Sequence, residues 1–171
     1  MDDFVSGLLG LVHTLSAAIA LISGLVVLSK QKGTRTHRKV GYTYFFSMII
    51  LNVTAIPITN MSGTFGFFHV FILISLPTTI LGLYIPLFSR HKRNWVLQHF
   101  SYMFWSYVGL IAAFIAEVMV RLPVILANTE QQVATESLSA IGIMLAFAIM
   151  GAVMFFAELI FRRWRSKLNV G

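Results

Sequence analysis

The sequence predicts an all-α integral membrane bundle of five transmembrane helices, a single domain over residues 1–171. Three observations predict it. The first is composition: 57% of residues are hydrophobic and 11% charged, where an ordinary soluble domain carries about 25% charged residues. The mean hydropathy of +0.81 agrees. The second is five apolar runs, at residues 4–28, 36–59, 66–88, 94–120 and 137–161. Each has the roughly 20 residues that a helix needs to cross about 30 Å of hydrocarbon, and helices satisfy their own backbone hydrogen bonds there.

The third observation is where the basic residues fall. Lys30, Lys32, Arg35, Arg38 and Lys39 surround the first connection, and Arg90, Lys92 and Arg93 occupy the third. Arg162, Arg163, Arg165 and Lys167 close the chain, while Arg121 alone falls on the other side. Basic residues accumulate on the cytoplasmic face, so the N-terminus is expected outside and the C-terminus in the cytoplasm.

The first run follows Met1-Asp-Asp-Phe4, acidic where a cleaved leader would be basic, and it is too long for a leader core. It reads as a retained helix. Gly33 breaks the chain before the second run, and Thr36 is a candidate N-cap. Pro57, Pro77 and Pro86 lie in or near helix ends, where lipid-embedded kinks are tolerated. The second connection, residues 60–66, is a short outer turn; Asn60-Met-Ser62 matches a glycosylation acceptor but carries little weight. The fourth, from Arg121 to Glu136, is longer and polar and contains Pro123.

Several function classes are excluded. The absence of cysteine removes disulfides and thiolate metal sites. A pI near 10.2 would suggest nucleic acid in a soluble protein, but here the basic residues flank apolar runs. Topology and anionic lipid headgroups explain them, so the bilayer is the expected partner and nucleic acid is not. The chain has no phosphate loop, nucleotide fingerprint or Ser-His-Asp arrangement.

The candidate site is built from histidines. An ionisable residue in a lipid-spanning helix costs solvation that leucine does not, so its presence points to function. His13 and His69 fall near the outer face, and His37 and His99 open helices entering from the inner face. His91, in Ser89-Arg-His-Lys-Arg93, is expected to be a solvated loop residue.

Two stacked imidazole pairs are what a di-haem b-type membrane protein requires, each iron taking one ligand from each of two facing helices. His13 with His69 would hold an outer haem b and His37 with His99 an inner one, moving electrons to or from quinone or another redox partner. Arg35, Arg38 and Lys39 would neutralise propionates near the inner pair, and Phe45, Phe46, Phe100, Tyr102 and Trp105 would flank rings.

Two alternatives stand beside it. His13, His69 and Glu117 make a two-histidine, one-carboxylate set suited to zinc, as a hydrolase or metal handler. Against that, Glu117 and Arg121 are four residues apart, as are Glu158 and Arg162, so ordinary ion pairs along one helix are a simpler fate. The other alternative is a non-catalytic membrane component or small-solute carrier. Its histidines would hydrogen-bond between helices or move protons.

The tract Lys32-Gly-Thr-Arg-Thr-His37-Arg-Lys-Val-Gly41-Tyr-Thr-Tyr44 resembles the bacterial membrane proteins grouped as domain of unknown function 2306. Their pattern, Gly-Thr-x-x-His-Arg-x-x-Gly-x-x-Tyr, is matched by Gly33, Thr34, His37, Arg38, Gly41 and Tyr44. His13, Phe68-His69 and His99 match further family histidines, and the resemblance covers about residues 10–120. It implies a bacterial inner-membrane location and places weight on the histidines, but it implies no activity. The pairing of first with third and second with fourth helix is also similar to that of the transmembrane ascorbate-reducible cytochromes b. Gly41 would admit a neighbouring helix or a flat ligand. Tyr44, two turns beyond His37, would donate a hydrogen bond to a bound group or to another helix.

Overall fold

The computed structural model describes residues 2–57, 67–126 and 132–168; for 2–6, 67–70, 120–126, 132–141, 143 and 167–168 it describes the backbone alone. Five helices follow in order: α1 Asp2–Ser29, α2 Arg35–Ala55, α3 Phe67–Phe88, α4 Trp95–Leu126 and α5 Gln132–Leu168. No strand occurs among the described residues.

Four helices contain stretches long and apolar enough to cross a membrane: Gly7–Ser29, Phe71–Phe88, Trp95–Met119 and Met144–Ser166. The exception is α2. Its first turns hold Arg35, Arg38 and Lys39, and further along it buries Tyr44, Ser47, Asn52 and Thr54, so its apolar content is interrupted at one end and along one face.

The start of α2 corrects one expectation. Thr34, not Thr36, caps the helix: its backbone is extended (ψ 164°) and its hydroxyl accepts from His37 N–H at 3.1 Å. Gly33 precedes it at φ 79°, a left-handed conformation that glycine adopts without steric cost. Lys32 completes the turn by donating from Nζ to the carbonyls of Val27 (2.9 Å) and Leu28 (2.6 Å) at the end of α1, where a cation offsets unpaired carbonyls. Partial burial there lowers its ammonium pKa from the ordinary lysine value.

The fourth connection also differs from expectation. Pro123 does not end α4, which runs on to Leu126, and α5 begins at Gln132, so most of the expected polar loop between Arg121 and Glu136 is helical. A proline forfeits one backbone hydrogen bond and need not terminate a long apolar helix in lipid. The expected turn at residues 60–66 lies outside the described residues.

The chain forms two compact units, Met1–Tyr107 and Val108–Gly171. In the first, cross-helix contacts fix the directions. His37 meets His99 and Tyr44 meets Ser106, a separation of 62 residues in both cases, so α2 and the first part of α4 run parallel and in register. Gly82 meets His99 and Thr79 meets Ser106, so α3 runs antiparallel to both.

Close approach in this unit occurs at two glycines. A Cβ on Gly24 would lie 2.3 Å from the Tyr107 ring, and one on Gly82 would lie 2.5 Å from Met103 Sδ. Tyr107 crosses Gly24 to donate to the Leu21 carbonyl at 3.0 Å. Gly41 has no such role, since a Cβ there would first meet Val27 Cγ2 at 3.8 Å.

In the second unit, Ala112 and Ala116 on α4 and Ala146 and Ala157 on α5 are buried. Arg162 Nε donates to Glu158 Oε1 at 2.7 Å, the expected four-residue ion pair. Both side chains are more than a third exposed, and pairs of that kind contribute little.

Candidate functional site

His37 and His99 come together. His37, in the first turn of α2, and His99, in the second turn of α4, have ring centres 6.4 Å apart and ring planes at 88°. His99 Nδ1 is 2.6 Å from the carbonyl of Gly82. A carbonyl only accepts, so Nδ1 carries the proton and Nε2 keeps its lone pair. This contact depends on the close approach of α3 and α4 at Gly82. His37 Nδ1 is buried and makes no hydrogen bond.

His13 repeats part of this logic. His13 Nδ1 is 3.1 Å from Thr54 Oγ1. The Thr54 hydroxyl already donates to the carbonyls of Ile50 (2.7 Å) and Leu51 (3.1 Å) on its own helix. Its single proton is engaged, so it accepts from His13, which therefore holds its proton on Nδ1. His69 lies on the first turns of α3, but its side chain, and with it the expected outer pairing, lies outside the described residues.

Arg35, Arg38 and Lys39 are exposed. Tyr44 is fully buried and bonds to Ser106 Oγ at 2.9 Å, so of its two expected partners the structure supplies another helix. Glu117 belongs to the second unit and His13 to the first. Among the described residues, no three His, Cys, Asp or Glu side chains gather where they could hold a metal ion. His91 is exposed in the turn between α3 and α4, as expected for a loop histidine.

Between the two histidine levels lies a set of polar side chains that histidine spacing alone does not reveal. Ser106 Oγ is 2.8 Å from Thr79 Oγ1 as well as 2.9 Å from Tyr44 Oη. Asn52 Nδ2 donates to Ser75 Oγ at 3.1 Å and to the Met48 carbonyl at 2.7 Å. The sequence signal for them is repeat spacing: Ser75, Thr79 and Gly82 share one face of α3, and Ser106 follows His99 by seven residues as Tyr44 follows His37.

The family description "Predicted membrane protein (DUF2306)" matches residues 10–160. The chain belongs to the DUF2306 family. Membership extends over most of the described helices, well beyond the tract around His37 that carries the resemblance in sequence. No curated protein and no solved structure matches this DUF2306 protein.

Proposed function

We propose that this DUF2306 protein spans a bacterial inner membrane five times, with its N-terminus outside, and binds haem b between His37 and His99 for electron transfer across the bilayer. The separation of the two rings carries the reading. Metal–imidazole bonds of about 2 Å put two ring centres on opposite sides of one ion about 6 Å apart, and the observed value is 6.4 Å.

Two further features support it. Metal-ligating histidines commonly donate their other ring N–H to a backbone carbonyl, which fixes tautomer and orientation; His99 makes that bond to Gly82. The buried, unsatisfied Nδ1 of His37 costs about 1–3 kcal/mol if nothing binds nearby. Haem would supply one-electron chemistry, exchanged with quinone or another redox partner. His37 and His99 would hold the iron, and Arg35, Arg38 and Lys39 would meet acidic groups at the membrane surface. His13, whose tautomer matches that of His99, would pair with His69 at an outer centre.

The test is an absorption spectrum of protein purified from haem-replete cells. A Soret band and a sharp reduced α-band are expected, diminished in His37→Ala and in His99→Ala. Colourless protein without iron would overturn the reading.

A second reading is favoured by the contacts of His13 with Thr54 and His99 with Gly82: imidazoles that tie helices together in a non-catalytic membrane component. Its mark is a stable protein without cofactor that tolerates single histidine replacements.

A further inference from the structure

Lys32 commits its ammonium to the last carbonyls of α1, and Arg162 is paired with Glu158. Lys30 and Lys39 have no such outlet. Both are exposed, and among the described residues neither side chain makes a hydrogen bond or an ion pair. Carboxylates are also missing from this end of the first unit. Its acidic residues, Asp2 and Asp3, open α1 at the opposite end. A counter-ion for the two lysines must come from outside the chain.

The lysines stand at one end of a groove between α1 and α2. Ile19, Ile22, Ser23 and Val26 line it on α1, and Val40 and Thr43 on α2. Its volume is about 310 Å³, at the lower end of the range for small-molecule sites, about 300–1,000 Å³. Ser23, Val26, Val40 and Thr43 are all short, so the two helices meet there without filling the space between them. Both hydroxyls are turned to their own helices: Ser23 Oγ donates to the Ile19 carbonyl at 2.6 Å and Thr43 Oγ1 to the Lys39 carbonyl at 3.2 Å. With those protons engaged, the lining suits hydrocarbon.

The pairing of the helices brings the lysines to this groove. Gly41 faces Val27 and Thr54 meets His13, so α2 runs back along α1. Lys30 follows Val26 by four residues, and its N–H still bonds to the Val26 carbonyl at 3.0 Å. Lys39 precedes Thr43 by four residues, and Thr36 precedes Val40 by four. Positions four apart share a helix face, so two cations and one hydroxyl rim the groove at one end. From Val26 to Ile19 the trough runs on for about 10 Å along α1.

We propose that this groove binds one anionic glycerophospholipid, its phosphate held by Lys30, Lys39 and Thr36 and one acyl chain laid between α1 and α2. Hydrocarbon gains little on leaving the bilayer for an apolar trough, so the trough contributes van der Waals packing and fixes the position of the lipid. The lysines fix its identity, because basic residues at a membrane surface attract anionic headgroups. A zwitterionic headgroup carries its own cation towards the two lysines and gains less. The site lies apart from His37 and His99 and does not depend on haem.

The experiment is native mass spectrometry of the full chain in detergent micelles, titrated separately with phosphatidylglycerol, phosphatidylcholine and glycerol phosphate. One phosphatidylglycerol per chain is expected to be retained at roughly one-tenth of the concentration that phosphatidylcholine requires. Lys30→Gln combined with Lys39→Gln should abolish that preference. Arg163→Gln combined with Arg165→Gln, which removes cations from the second unit, should leave it intact. Thr43→Phe, which fills the trough and spares both lysines, should lower retention; should it fail to fold, Ile22→Trp at an exposed position tests the same trough. Equal retention of the two lipids would overturn the site, as would a preference that survives loss of both lysines or retention unchanged by a filled trough. Displacement of the lipid by equimolar glycerol phosphate would mean a site for free phosphate and would also overturn it. So would a dimer that retains no lipid, which would give the groove to a second copy of the chain.

Discussion

The phenol of Tyr44 stands 2.9 Å from the hydroxyl of Ser106 and repeats, seven residues further along both helices, the approach of His37 to His99. One parallel register thus sets two levels of polar contact. A shift of either helix by one residue would rotate all four side chains off the shared face.

Ser106 and Tyr44 are therefore expected to be coupled. A cycle of Ser106→Ala, Tyr44→Phe and the double variant should show a coupling of about 0.5–2 kcal/mol, the range for hydrogen bonds between helices in membranes. Detergent-denaturation equilibria in mixed micelles measure it. Strictly additive single effects would mean that the bond contributes nothing.

Gly24→Ala should destabilise by about 1–3 kcal/mol, the usual range for overpacking, because its Cβ would meet the Tyr107 ring at 2.3 Å. Displacing that ring also threatens the bond from Tyr107 Oη to the Leu21 carbonyl. Gly10→Ala, where a Cβ meets nothing within 4 Å, is the control. Equal behaviour of the two variants would contradict the close approach.

Thr34→Ala should cost about 1 kcal/mol, the typical value for a lost N-cap. Thr36→Ala, at the exposed second position of α2, should change stability by less than about 0.5 kcal/mol. The same denaturation assay separates them, and the reverse order would restore Thr36 as the cap.

Gly82→Ala tests how His99 is held. Its methyl group would collide with Met103 Sδ, pushing α3 and α4 apart and lengthening the 2.6 Å contact between His99 Nδ1 and the Gly82 carbonyl. Lost second-sphere bonds of this kind lower metal affinity by about 10–100-fold. On the proposed haem reading, retention of the pigment on dilution should fall accordingly, and Met103→Ala in the same chain should restore part of it. Unchanged retention in Gly82→Ala would show that the carbonyl does not orient the ring.

Much of the inner site is legible in the chain. His37 and His99 each follow a basic connection and lie in the first turns of their helices, which matches them in level before any packing is considered. Thr34 is harder to read, because Thr34 and Thr36 both precede the apolar run and only backbone angles distinguish the cap. Glycine is harder still. Gly41 stands in the family tract yet has room for a Cβ at ordinary van der Waals distance from Val27, whereas Gly24 and Gly82 stand outside it and would collide with side chains from another helix. Nothing local to a glycine says what crosses it.

By itself the sequence determined the helical class, the apolar stretches, the connections in which basic residues gather and the position of each histidine along its helix. These follow from hydropathy, charge and rise per residue, which are properties of short segments. Tertiary structure alone decided that α2 and α4 run in a common register, that Gly82 supplies the carbonyl for His99, and that Ser106 links Tyr44 to Thr79. Those outcomes depend on which faces of separate helices meet, and in a chain where nearly every face is apolar, the few hydroxyls and glycines that select the pairing act across distances no local pattern records.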